Sequence, residues 1–449
     1  RRDGRHLGYT SSFTIYDQAD AVRLMGYVLR DQNVDPRKFP PRAVQAHVSQ
    51  AKNDLKSVDA YEAAAVTIYE KRMAVAYREY QARLRAANAV DFDDLLARAV
   101  ELFRGYPEVL AHYQQRFKHL LVDEYQDTNA AQNELVIMLG REHGNVCVVG
   151  DADQSIYRFR GADIRNIMEF EKAFPQARTV VLEQNYRSTQ KILDAANAVI
   201  ANNTMRKPKA LWTERAGGER LTRFHAGDER DEAAWVVHEI DRLHDGEHHR
   251  WGDMAVFYRT NSQSRAVEEE LSRRKVPYKV VGGTRFYDRR EVKDLLAYLR
   301  AVVNPADEVS VKRVVNVPKR GIGDTSLGRL DNWASSRGVT FSEAMVSAAA
   351  AGVTGRALSG IGAVIRLLDD LRAAAGDGSG PAALLELVCD YTGYTAQLEA
   401  ENTVESAGRL ENVAELIGSA RQYEDVNRFL EDVSLVADTD EVDIDESSV

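Results

Sequence analysis

Three apolar runs of strand length, Leu120–Val122, Val146–Val149 and Val180–Leu182, each break off into a burst of polar side chains. Helical stretches separate them. That alternation predicts a parallel sheet, because parallel neighbours need a crossover long enough to hold a helix. In an open sheet of this type, ligands bind in the crevice beyond the carboxyl ends of the strands. Here those ends read Asp123-Glu124-Tyr125-Gln126-Asp127-Thr128-Asn129, then Gly150-Asp151-Ala152-Asp153-Gln154-Ser155-Ile156-Tyr157, then Glu183-Gln184-Asn185-Tyr186-Arg187-Ser188.

Two adjacent carboxylates followed by a glutamine suit a nucleoside triphosphatase. One carboxylate serves Mg²⁺, one the attacking water, and the amide meets the γ-phosphate. Alone, Asp123-Glu124 also reads as a polar strand end that caps the next helix; the Gly-Asp-x-Asp-Gln end of the second run tips the reading. Tyr186 offers an aromatic face for a base, and Arg187 a planar, permanently charged fork for phosphate. Alone, that segment reads more simply as a helix start, with Ser188 capping and Tyr186 packed.

A chain of 449 residues is too long for one core and predicts roughly three domains. The first ninety residues read as helical, with Tyr61, Ala65, Ile68, Met73, Ala76, Tyr77, Tyr80 and Leu84 recurring at helical steps across Val58–Ala87. A break is expected at Asn88-Ala89-Val90-Asp91. Further strands are expected at Met254–Tyr258 and Tyr278–Val281, with a charged helix, Ser264–Arg274, between them. Beyond about Arg290 the chain reads helical again, interrupted at Gly376-Asp377-Gly378-Ser379-Gly380-Pro381. Asp438–Glu446 holds six acidic residues in nine and reads as a solvated linker.

Composition excludes several classes. No apolar run approaches the ~20 residues that span a bilayer, and the N-terminus lacks a signal-peptide core. Cys147 and Cys389 are the only cysteines, so no disulfide framework or zinc site is expected and a reducing cytoplasm fits. The net charge of −10 argues against a uniformly basic nucleic-acid binder but leaves room for local basic grooves.

Two further segments suggest nucleic acid. Tyr157-Arg158-Phe159-Arg160 alternates aromatics with cations, as a sequence-tolerant stacking track requires; the plainer alternative puts Tyr157 and Phe159 in a core. Asn316-Val317-Pro318-Lys319-Arg320-Gly321-Ile322-Gly323-Asp324-Thr325 sets a Gly-x-Gly between helical stretches, behind two cations. Glycines let backbone N–H groups approach a phosphate without a Cβ clash; an ordinary helical turn is the alternative.

In order, Asp-Glu-Tyr-Gln-Asp-Thr-Asn, Val-Gly-Asp-Ala-Asp-Gln-Ser-Ile-Tyr-Arg-Phe-Arg-Gly-Ala-Asp and Gln-Asn-Tyr-Arg-Ser resemble successive motifs of the UvrD/PcrA/Rep family of superfamily 1 DNA helicases. Phe257-Tyr258-Arg259-Thr260-Asn261-Ser262-Gln263-Ser264-Arg265 and Val281-Gly282-Gly283-Thr284-Arg285-Phe286-Tyr287 resemble the next two. The resemblance implies an α/β protein with RecA-like parallel-sheet motor domains, both incomplete, and large α-helical insertions. It implies a helical insertion over 1–90, part of a first motor domain over 91–186, part of a second over 187–289, and a helical duplex-binding insertion over 290–449.

The resemblance also implies roles. Asp123 would hold Mg²⁺, Glu124 would activate water, and Gln154 would sense the γ-phosphate of ATP. Tyr186 would stack on adenine, and Arg187 would act as an arginine finger. Single-stranded DNA would meet Phe92, Tyr157, Phe159, Arg160, Arg259 and Asn261. The family often carries tryptophan where Phe159 stands, and Phe92 also reads as a hydrophobic staple at a helix start. Lys319, Arg320, Gly321 and Gly323 resemble a helix-hairpin-helix that would grip the duplex arm of a junction.

The expected activity is ATP-dependent 3′-to-5′ translocation and unwinding in repair or replication, in the bacterial cytoplasm at the nucleoid. Protein partners from those machineries, and no membrane, are expected. A phosphate-cradling P-loop needs Gly-Lys-Ser/Thr, and no glycine in these 449 residues is followed by lysine. The chain is therefore expected to be an internal portion of a longer helicase, carrying half of an ATPase site. The rival readings are a non-catalytic DNA-binding or interaction module, and the helicase part of a recombination helicase–nuclease.

Overall fold

The computed structural model describes residues 1–203, 209–260, 263–281 and 286–436. They form two compact units: Arg1–Arg178 with the described residues from Phe286 onward, and the described residues of Thr179–Arg285.

The first unit opens on β1 (Thr14–Tyr16), followed by α1 (Gln18–Asp31), α2 (Pro41–Asn53), α3 (Val58–Ala64) and α4 (Ile68–Ala86). The single helix expected over Val58–Ala87 is two. Ala65 turns extended and Thr67 starts a new helix through a capping box with Glu70, and the strongly preferred threonine cap outweighs the apolar rhythm running through the break. Met73, Ala76, Tyr77, Tyr80 and Leu84 are buried as that rhythm predicts, while Ile68, in the first turn, is exposed.

At the expected break, Asn88 takes a left-handed backbone, φ 45°, which asparagine tolerates. It leads into β2 (Ala89–Asp91), which pairs in parallel with β1, Thr14 opposite Ala89. Then come α5 (Phe92–Gly105), α6 (Pro107–Arg116), β3 (Leu120–Val122), α7 (Ala130–Gly140) and β4 (Val146–Val148). β3 and β4 pair in parallel, as the alternation predicts.

From Arg290 the same unit is helical. Every residue of helix Arg290–Val303 from Glu291 to Val302 is buried except Lys293, which marks it as the central helix of its core. Its charges are matched one by one. Arg300 Nη1 donates to Asp20 at 2.7 Å, Lys293 reaches Asp17 at 3.0 Å, and Asp294 accepts from Arg313 at 2.8 Å and Tyr394 at 3.1 Å. Tyr16 donates to Asp307 at 2.6 Å, and Asn304 to the Ala87 carbonyl at 2.8 Å. Residues 290–436 thus pack on the N-terminal helices through buried polar contacts. Helix Gly355–Gly376 stops and Pro381–Thr392 starts where the Gly/Ser-rich break was expected.

The second unit corrects three expected strands. Val180–Leu182, Met254–Tyr258 and Tyr278–Val281 form no ladder among the described residues; only a bridge between Gln184 and Trp212 is present. Val181 is 54% exposed and Phe257 94%. A strand is stable only against a neighbour that takes its N–H and C=O groups, and among the described residues no ladder supplies one for these runs. Helix Ser264–Arg274 forms with the expected bounds and packs on Glu229–Glu247 around Val237, Ile240 and Leu271. Asn261, Gly282–Arg285 and the acidic Asp438–Glu446 lie outside the described residues, as does the side chain of Phe159.

Candidate functional site

The register of the β3–β4 pair builds the site. Leu120 faces Val146 and Val122 faces Val148, so both polar bursts leave the sheet at the same end. The ladder runs on past the strands: Val149 N–H donates to Val122 O at 2.8 Å, and Tyr125 N–H to Val149 O at 2.9 Å. Between those two bonds the chain must turn. Glu124 makes the turn in the left-handed region, φ 49°, ψ 43°, a conformation that costs a non-glycine residue of order 1–3 kcal/mol and clusters at functional sites.

The turn throws both carboxylates outward. Asp123 and Glu124 are exposed, and Asp123 Oδ1 accepts from the Glu124 N–H at 2.9 Å. Gln154 is also exposed, its Nε2 donating to Asp151 Oδ2 at 2.9 Å. The structure therefore brings Asp123, Glu124 and the Asp151–Gln154 loop to one sheet end. Among the described residues no three His, Cys, Asp or Glu side chains converge as a metal cage. Mg²⁺ is commonly held by one or two carboxylates together with substrate phosphates and water. Asp123, an exposed hard oxygen donor, fits that role.

Behind this edge the packing is tight. Tyr125 is fully buried and donates to Asn133 at 2.6 Å. Asn129 caps α7 and reaches Asn53 Oδ1 on α2 at 2.7 Å, while Asn53 Nδ2 holds Asp93 at 3.0 Å. Beyond the sensor loop, Tyr157 is half-buried with the Arg160 guanidinium 5.2 Å from its ring centre, and Arg158 and Arg160 are exposed. The ring is neither a free platform nor a core residue. Phe92 is the first residue of α5, behind the Asp91 cap, and packs in the small cluster of Tyr9, Phe13, Ile15 and Val90; the staple positions on either side of that cap are Val90 and Leu95, not Phe92.

Sequence reasoning missed the deepest ionic group. Lys52 on α2 is 1% exposed; its Nζ lies 2.7 Å from Asp91 and 2.9 Å from Asp94. Burial penalises its ammonium, but the two carboxylates outweigh that and Lys52 titrates above its ordinary range. Asp94 is likewise held low, burial being outweighed by Lys52 and Arg98. The available signal was three carboxylates in Asp91-Phe92-Asp93-Asp94, a density that needs a counter-ion if buried.

In the second unit Tyr186 and Arg187 are exposed. Asn185 Oδ1 accepts from the backbone N–H groups of Arg187 at 2.9 Å and Ser188 at 2.8 Å, and Tyr186 donates to Gln184 at 2.9 Å. The helix start expected at Ser188 lies later: Asn185 closes a local turn over residues 186–188, the helix runs Gln190–Ile200 behind Thr189 with no side-chain cap, and Tyr186 is exposed rather than packed. Arg259 is exposed, its N–H bound by Gln263 at 2.9 Å.

The Gly-Ile-Gly turn departs from expectation in one respect. Gly321 has φ 76°, and a Cβ there would fall 2.8 Å from Arg356 Cδ, so the position demands glycine. Gly323 precedes helix Asp324–Arg337. Lys319 is exposed. Arg320, however, turns inward, donating to the carbonyls of Val314 at 3.0 Å and Val317 at 2.9 Å and to the Tyr298 hydroxyl at 2.7 Å. Its guanidinium fastens the turn: part-exposed, it keeps some solvent while supplying the donors that the carbonyls of Val314 and Val317 need.

The fold and this edge mark an α/β protein of the helicase class, and sequence comparison gives the family. Residues 1–175 match the UvrD/REP helicase N-terminal domain and 180–351 the UvrD-like helicase C-terminal domain. The chain belongs to the UvrD/Rep helicase family. It is 45% identical over 470 residues to the ATP-dependent DNA helicase UvrD1 of Mycobacterium tuberculosis, covering 97% of this chain and 60% of that protein. To the ATP-dependent DNA helicase PcrA of Bacillus subtilis it is 42% identical over 449 residues, covering 99% and 61%. The chain thus spans about three-fifths of the length of these relatives.

Proposed function

We propose that the whole protein hydrolyses ATP with Mg²⁺, translocates 3′ to 5′ on single-stranded DNA, and unwinds duplex at junctions in repair or replication. The observation that carries this reading is the parallel β3–β4 register, by which the loops bearing Asp123, Glu124 and Gln154 leave the pair at the same end. The family and its ATP-dependent relatives support it. Direction rests on resemblance, as does the division into a helical insertion over 1–90, RecA-like parts over 91–186 and 187–289, and a duplex-binding insertion over 290–449. The cytoplasm at the nucleoid and partners from repair or replication are part of the same reading. No helix among the described residues is long and apolar enough to cross a membrane.

In this reading Asp123 holds the metal, which neutralises charge on the phosphate oxygens when bound. Glu124 takes the proton of the attacking water, and Gln154 meets the γ-phosphate. Tyr186 stacks on adenine and Arg187 supplies the finger. The residues proposed to touch the single strand are Phe92, Tyr157, Phe159, Arg160, Arg259 and Asn261. The test is ATP hydrolysis by the whole protein with and without single-stranded DNA. Strand-stimulated turnover is expected; turnover indifferent to DNA would reject a translocase. Residues 1–449 alone, with no Gly-Lys-Ser/Thr cradle, should bind DNA without turning over ATP.

Tyr157→Ala should weaken single-strand affinity by about 1–3 kcal/mol with little dependence on base sequence, as measured by fluorescence anisotropy. Unchanged affinity with a melting temperature several degrees lower would make Tyr157 a packing residue.

The inward Arg320 sharpens the junction prediction. Lys319→Ala should flatten the log–log salt dependence of junction binding by about one unit, one phosphate contact, and leave single-strand binding alone. Arg320→Ala should instead lower the melting temperature. Equal salt slopes for Lys319→Ala and the parent would remove the turn from the duplex contact.

A further inference from the structure

Gln126 has no role in the reading so far, yet it is the best-held side chain at the site. It is 1% exposed and both ends of its amide are used. Nε2 donates to Glu124 Oε2 at 2.7 Å, and Oε1 accepts the Asp151 N–H at 2.9 Å. Asp151 Oδ2 in turn accepts from Gln154 Nε2 at 2.9 Å. A single run of hydrogen bonds therefore joins Glu124, Gln126, Asp151 and Gln154 and spans the two loops.

The loop after β4 is shaped around that amide. A Cβ on Gly150 would come 2.5 Å from Gln126 Oε1, 2.8 Å from Ile167 Cδ1 and 3.1 Å from the Tyr125 nitrogen. Only glycine lets the second loop approach closely enough for the Asp151 N–H to reach the amide. Glu124 is exposed and sits on a left-handed backbone. Without a tether its carboxylate would sweep several rotamers, and a general base must stay within hydrogen-bond reach of its water.

We propose that Gln126 is a positioning residue. It fixes the Glu124 carboxylate and ties it to the Asp151–Gln154 loop, so that movement of Gln154 toward a phosphate is felt at Glu124. This rests on the triphosphatase reading above. The two ends of the amide can be separated by substitution. Gln126→Glu keeps an oxygen for the Asp151 N–H but loses the donor to Glu124. Gln126→Leu loses both.

The experiment measures kcat and KM for ATP in the whole protein at saturating single strand, together with amide hydrogen exchange of the 149–156 segment without nucleotide. Both variants should lose about tenfold or more in kcat with KM near the parent value, since positioning acts on the transition state. Exchange at Asp151 should rise in Gln126→Leu and stay at the parent rate in Gln126→Glu. In a Glu124→Gln background, Gln126→Leu should cost nothing further. Parent-like kcat in Gln126→Glu, or losses that multiply in the double variant, would overturn the proposal. So would unchanged Asp151 exchange in Gln126→Leu. If Glu124→Gln itself turns over normally, it is the triphosphatase reading that fails; if Glu124→Gln is inactive and Gln126→Glu is not, only the positioning role fails. Gln126→Glu is nearly isosteric, so a folding defect in Gln126→Leu leaves the kcat test in place.

Discussion

Glu124→Gln in the whole protein is expected to lower kcat for strand-stimulated ATP hydrolysis by about 10²–10⁴-fold while leaving DNA affinity within a small factor of the parent. The substitution keeps length, shape and the left-handed turn at φ 49°. It removes only the charged oxygen that would take a proton from water. An amide at this position can still meet Gln126 by presenting its own oxygen to Nε2, so the loop should survive. The measurement is steady-state hydrolysis beside anisotropy with labelled single strand. A rate within a few-fold of the parent would take Glu124 out of the chemistry and leave Asp123 without its proposed partner.

Lys52→Met is expected to destabilise the fold by about 3–5 kcal/mol, because it strands buried carboxylates without their cation. Asp91 and Asp94 are 4% and 0% exposed. Tyr80 still donates to Asp91 at 2.9 Å, and Arg98 lies 3.4 Å from Asp94, but neither replaces an ammonium that bridges both. The pH dependence gives the sign. In the parent, Asp94 titrates below its ordinary range while burial holds Asp91 above its own despite Lys52; the Asp94 contribution is therefore present above the unfolded carboxylate range and is lost only as pH falls through the lower folded value. In the variant the lone carboxylates titrate above the unfolded range, so stability falls as pH rises. The deficit of Lys52→Met in urea unfolding of residues 1–449 should therefore be larger at pH 7 than at pH 5. A loss under about 1 kcal/mol, or one independent of pH, would mean that Arg98 and water carry the charge.

Lys52 shows where reading the sequence stops. Ala51-Lys52-Asn53-Asp54 looks like the wet end of a helix, and only the approach of α5 turns it into an interior. Gln126 is similar. It stood in plain view among the polar residues after β3, but its partner is the backbone of Asp151, 25 positions on. Arg320 reads as a phosphate ligand beside Lys319, yet three oxygen acceptors turn it inward.

Local signals carried further. The Ser264–Arg274 helix, the stop at Gly376 and restart at Pro381, and the parallel pairing of Leu120–Val122 with Val146–Val148 follow from periodicity, glycine and proline, and the need for a crossover. The helix and the stop and restart depend on residues within a few turns of one another; the strand pair depends on one short crossover. The runs at Val180–Leu182, Met254–Tyr258 and Tyr278–Val281 carry the same apolar signature without a ladder, since a strand is a property of a pair. The sequence by itself determined the order of the motifs and the family they belong to, and the helices that local propensity can end and cap. The tertiary structure alone decided which charges are interior, which cation faces solvent and which amide ties the two loops together, because burial and hydrogen-bond partners are set by segments that meet only in space.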